Sequence, residues 1–101
     1  DIIFLSHTIA HIKNKELPLW TDVICKKRDR LYSFLKKNNI SCRKFWFPLS
    51  KNNFYSNQKH SSFKNTLQLE KKIMWLPSSF MMSKKNQFKV IKKIINFYKI
   101  N

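Results

Sequence analysis

The sequence predicts a small α+β domain, a few-stranded sheet with helices packed on one side. Three observations carry this. Apolar and β-branched residues alternate through 17–25 and crowd 40–47, as in strands. Between those runs, and again over 84–99, apolar residues recur at helical spacing. The 101-residue length allows one domain at most, with a modest core.

Residues 1–16 are mixed. Ile2-Ile3-Phe4-Leu5 is a short apolar run with strand character. His7 and His11 stand four apart and share a face if this stretch is helical. No nearby Asp, Glu or Cys completes a metal set, so they read as surface histidines. In Leu17–Cys25, Leu19, Thr21 and Val23 fall on one strand face and Trp20, Asp22 and Ile24 on the other. Pro18 suits the first position of a strand, where a missing N–H costs little. A helix is expected over Lys26–Lys37, with Leu31, Phe34 and Leu35 as its apolar stripe and Lys36 and Lys37 favoured by the dipole of its last turn. Asn38 and Asn39 follow. In a chain without glycine, asparagine is the next choice for the left-handed residue that ends a helix.

Ile40–Phe47 reads as a second strand, ended by Pro48. Residues 50–64 are polar and read as a long surface loop, where ligands are often met. A short helix is expected over Thr66–Ile73, then an extended Met74-Trp75-Leu76-Pro77. Ser83 is an N-cap candidate for a last helix, Lys84–Lys99. There Phe88, Ile91, Ile94, Ile95 and Tyr98 are expected to pack on the sheet; a membrane-surface helix is the alternative.

A hydrophobic content of 43%, with 15% aromatic residues, excludes a disordered basic tail. The formal net charge of +16 would attract nucleic acid or anionic membrane. However, lysine, asparagine, isoleucine and phenylalanine are all abundant, and all use AT-rich codons. The lysines are also spread over the whole chain and not gathered on one segment. Neither nucleic acid nor membrane is therefore the expected partner. Cys25 and Cys42 lie in no C-x-x-C pair and read as buried free thiols of a reducing cytoplasm. Asp1–Leu5 has neither the basic n-region nor the cleavage site of a signal peptide, and no apolar run reaches membrane-span length. The expectation is a cytoplasmic piece, residues 1–101 forming one small domain, of a protein that continues upstream.

Several segments carry a family resemblance. Glu16-Leu17-Pro18-Leu19-Trp20-Thr21-Asp22 is followed by Arg28-Asp29-Arg30-Leu31 and then by Asn39-Ile40-Ser41-Cys42-Arg43-Lys44-Phe45-Trp46-Phe47-Pro48-Leu49-Ser50. Phe63-Lys64-Asn65-Thr66 and Trp75-Leu76-Pro77-Ser78-Ser79 come later. In order and spacing this series resembles the C-terminal part of the DegT/DnrJ/EryC1/StrS sugar aminotransferases, closest to their perosamine-synthetase-like branch. The likeness runs over about residues 16–99. Two positions depart from it: Asn39 stands where the family has glycine, and Ser50 where it has histidine.

The resemblance implies the small C-terminal domain of a fold-type I enzyme dependent on pyridoxal phosphate. Such enzymes move an amino group, usually from glutamate, onto a nucleotide-linked keto sugar, in amino-sugar or surface-polysaccharide biosynthesis. They are usually homodimers. The Schiff-base lysine and the cofactor belong to the large domain, expected upstream, so residues 1–101 are expected to hold no catalytic residue and to be inactive alone.

Arg43 is the first candidate substrate contact, because a guanidinium forks onto phosphate or carboxylate; the plainer reading is a strand arginine, paired or exposed. Ser50 is the second. It keeps a hydroxyl but loses the imidazole's reach. Phe45, Trp46 and Phe47 are expected in the core, with sugar or base stacking as the alternative. Trp20 and Trp75 are expected as core or interface anchors, and Asp22, Asp29 and Glu70 as members of ion pairs. A stand-alone RNA- or DNA-binding module, with Phe54 and Tyr55 exposed for stacking, is the competing reading.

Overall fold

Alternation along Thr21–Cys25 puts Val23 and Cys25 on one face, both buried, and Trp75's neighbour Asp22 on the other. The computed structural model describes residues 1–16, 19–52 and 63–100, with the Ser50 side chain left out. In chain order it contains β1 (Ile2–Phe4), α1 (Ser6–Lys13), β2 (Thr21–Cys25), α2 (Arg28–Lys37), β3 (Arg43–Lys44), a 3₁₀ turn (Leu49–Lys51), α3 (Lys64–Glu70), β4 (Ile73–Leu76) and α4 (Lys84–Ile100).

The strands form one sheet in the order β1-β2-β4-β3, every neighbouring pair antiparallel. β2 and β3 therefore run the same way with β4 between them. The expected strand–helix–strand unit is present, but split by the last strand. The expected strand Ile40–Phe47 shrinks to Arg43–Lys44, because its partner β4 has four residues and meets it at Arg43↔Trp75 and Lys44↔Met74.

α2 and α4 pack on the same sheet face. The core joins Val23, Cys25 and Met74 of the sheet to Leu31 and Leu35 of α2 and Phe97 of α4; Ile40 and Cys42 close it. The expected arrangement of helices on one side holds for these two. α1 and α3 instead meet residues of the opposite face: His7 bonds Asp22, and Leu69 shares a cleft with Ile73.

α2 starts at Arg28 and not at Lys26, because Lys27 takes a left-handed φ of 55°. Arg28, 8% exposed, donates from Nε to the Lys71 carbonyl at 3.2 Å and so ties α2 to the chain before β4. The far end of α2 is a Schellman cap. Asn39 has φ 57°, its N–H bonds the Lys36 carbonyl, and the Ile40 N–H bonds the Leu35 carbonyl. Asn39→Val should lower stability by about 1–2 kcal/mol, because a β-branched residue resists this backbone, whereas Asn39→Gly should be neutral or stabilising. Urea midpoints of the two variants check this.

Ser83 caps α4 as expected, accepting the Asn86 N–H at 3.2 Å. The apolar face of α4 is rotated from the expected one. Val90, Ile94, Phe97 and Tyr98 meet the core, whereas Phe88, Ile91 and Ile95 are exposed. The Tyr98 hydroxyl donates to the Lys26 carbonyl at 2.7 Å, and burial pushes its pKa up to about 12.

Candidate functional site

The face of the sheet turned away from α2 and α4 carries a cross-strand row, Asp22–Trp75–Arg43, fixed by the register of β2, β4 and β3. Trp75 is 4% exposed and serves as a platform. Trp20 stacks on it at 4.7 Å and 14°. Phe45 and Trp46 meet it edge-on at 5.6 and 5.1 Å. Such offset and T-shaped pairs satisfy the ring quadrupoles. The expectation that Phe45, Trp46 and Phe47 are core is corrected. Trp46 and Phe47 are each 64% exposed, because the chain leaves the ladder after Lys44 and the rings lie on the sheet rather than beneath the helices. Trp20 is likewise half exposed, so only Trp75 is a core anchor.

Beside the platform an open cleft of about 570 Å³ runs between Phe45–Leu49 and the Thr66, Leu69 and Glu70 side of α3, with Ile73 as its floor. Pro48 is buried and sets the turn. Lys51, in that turn, donates to Glu70 at 2.5 Å and lies 5.3 Å over the Phe47 ring, clamping the segment to α3. The cleft is mostly apolar with a polar rim, the pattern of a small-molecule site.

Of the two expected contacts, Arg43 is exposed, pairs with Trp75 in the β3–β4 register, and its side chain makes no hydrogen bond or ion pair among the described residues. It does not line the cleft. Ser50 lies in the 3₁₀ turn at the cleft rim, with its side chain outside the described residues. The two stand on one segment, and Leu49, the residue before Ser50, helps to form the cleft. Phe54 and Tyr55 lie outside the described residues.

The expected ion pairs form for Asp29 and Glu70: Lys44 pairs with Asp29 at 2.7 Å, and Lys51 with Glu70. Asp22 Oδ2 accepts a hydrogen bond from His7 Nε2 at 2.9 Å. The Lys44 hydrogen bond draws the Asp29 carboxyl below its usual range. His11 pairs with Glu16, so both histidines have carboxylate partners that their spacing did not reveal. Among the described residues no group of three or more His, Cys, Asp or Glu is placed to hold a metal. Asp22 Oδ1 and Trp75 Nε1 are buried without a hydrogen-bond partner. These two orphaned groups lie on the same cross-strand row as Arg43.

Cys25 and Cys42 are buried free thiols, as expected. Burial pushes Cys25 up to about 11 and raises Cys42 as well, so neither is a thiolate nucleophile at neutral pH. Sequence reasoning missed the Trp20–Trp75 stack and the Lys51–Glu70 clamp. The continuous apolar run of β4 signals the buried Trp75, but nothing in the chain announces a contact between residues 51 and 70.

The cleft beside Trp75 does not fit pyridoxal phosphate as a Schiff-base site. Lys26, Lys44 and Lys51 each pair with a carboxylate at the surface, and the cleft beside Trp75 is lined by no lysine. The family model of the DegT/DnrJ/EryC1/StrS aminotransferases matches residues 6–95. No curated protein matches the chain.

Proposed function

Because this chain belongs to the DegT/DnrJ/EryC1/StrS aminotransferase family, whose members depend on pyridoxal phosphate, we propose that it supplies the small-domain wall of such an enzyme. The reaction read here is transfer of an amino group, usually from glutamate, to the keto group of a nucleotide-linked sugar. The Schiff-base lysine and the cofactor lie on another part of the polypeptide, and the working unit is a homodimer. When bound, the cofactor supplies the electron sink. The residues of this chain bind and orient.

One observation carries the assignment within this chain: Arg43, exposed and without an ion-pair partner among the described residues, stands in the same cross-strand row as the buried, unpaired Trp75 Nε1 and beside an apolar cleft rimmed by aromatic rings. A nucleotide sugar has matching parts. Its diphosphate suits a guanidinium, and its rings suit Trp46 and Phe47. Ser50, at the cleft rim, is assigned a hydroxyl contact to the sugar.

In the cofactor-loaded enzyme, Arg43→Ala should raise KM for the nucleotide sugar roughly 10- to 100-fold, the loss of one charged hydrogen bond, with kcat little changed. Arg43→Lys should recover part of it. An unchanged KM removes Arg43 from the substrate site. The reading frame directly upstream should encode a large domain with the Schiff-base lysine; a frame opening at Asp1 removes the enzyme itself.

A further inference from the structure

The outward side of α4 combines two features that the core does not use. Phe88, Ile91 and Ile95 are 62%, 50% and 46% exposed, and their i, i+3, i+7 spacing makes them one strip. Phe80, just before the helix and 80% exposed, shares a hollow with Ile91 and extends the strip. Alongside, Phe88 shares a second hollow with Lys85, Lys89 and Lys92. Residues 71–101 contain no acid at all. The helix is already anchored from behind by Val90, Ile94 and Phe97, and the strip is exposed among the described residues.

We infer that this face of α4 docks on an anionic lipid surface. Charge complementarity selects the partner. Nucleic acid would satisfy the lysines but has no use for a strip of isoleucines. A second copy of the chain would bring lysine against lysine. A bilayer rich in acidic headgroups meets both features: the lysines stay at phosphate level while the apolar strip enters the acyl boundary. The helix has 17 residues and lies along the surface; no described helix is long and apolar enough to cross a membrane. This inference does not rest on the aminotransferase reading, and it departs from the expectation of no membrane partner because an apolar strip and lysines stand side by side on one helix here.

The test is co-sedimentation of the 101-residue chain with vesicles. One set is a phosphatidylglycerol–phosphatidylcholine mixture and the other phosphatidylcholine alone, in about 0.15 M salt. The expected result is binding to the anionic vesicles at least roughly tenfold tighter than to the neutral ones. Phe88→Ser with Ile95→Ser should abolish most of it while the circular dichroism and thermal midpoint stay unchanged, because both residues are exposed. Lys89→Glu with Lys92→Glu should do the same. Three results overturn the inference: equal binding by the Phe88/Ile95 variant, which reduces the effect to diffuse charge; displacement by an oligonucleotide that binds that variant equally well; or a dimer by light scattering with no vesicle binding.

Discussion

Leu35→Ala is expected to cost about 2–5 kcal/mol, the cavity penalty of a fully buried leucine. Leu35 is 0% exposed and belongs to the cluster shared by α2, α4 and the sheet. Its carbonyl also accepts the Ile40 N–H that closes the helix cap, so collapse of the site would pull on the turn into β3. Small domains carry about 5–15 kcal/mol of stability in total, and one of this length lies toward the lower end. The variant should therefore keep only about 0–3 kcal/mol if the parent lies near 5 kcal/mol, with a urea midpoint far below that of the parent. Ile100→Ala is the control. At 82% exposed it should stay within about 0.5 kcal/mol. Similar losses for the two would mean that the α2–sheet seam is not the centre of the core.

The parts of this fold legible in the sequence were those governed by local chemistry. Alternation sorted Val23 from Asp22 correctly, because a half-buried strand enforces a period of two. Asn39 marked a left-handed cap, and Ser83 marked a helix start, because each residue type solves a backbone problem within a few positions. The order of the motifs was enough to indicate the family. What stayed hidden depends on partners distant in sequence. Strand β3 was read too long because strand length is set by the partner, and its partner β4 lies about thirty residues on. The stripe of α4 was rotated because Phe88, Ile91 and Ile95 are as apolar as Val90 and Phe97. Which side is buried is decided by the contacts with Phe34 and the sheet. The site was legible as a segment, Arg43–Ser50, but not as a surface, because Trp20, Trp75 and Glu70 reach it from other elements.

Trp75→Ala should have the largest effect on that surface. Its ring is buried in the central strand and touches Trp20, Phe45 and Trp46 at once. Large aromatic truncations in a core cost about 3–5 kcal/mol, and each aromatic pair lost adds about 0.5–1.5 kcal/mol where it is not already counted in buried area. Trp20→Ala removes a single stack and leaves the platform in place, so about 1 kcal/mol is expected. Near-ultraviolet circular dichroism distinguishes the two. The coupling of the stacked indoles disappears in both variants, but the residual aromatic signal from Phe45 and Trp46 survives only where Trp75 remains. Trp75→Phe should keep most of the stability and lose the coupling. In the cofactor-loaded enzyme it should also weaken nucleotide-sugar binding less than Arg43→Ala, because it leaves the guanidinium on its strand. If Trp20→Ala proved as damaging as Trp75→Ala, the aromatic surface would depend on the outer ring and the cross-strand row would not be its foundation.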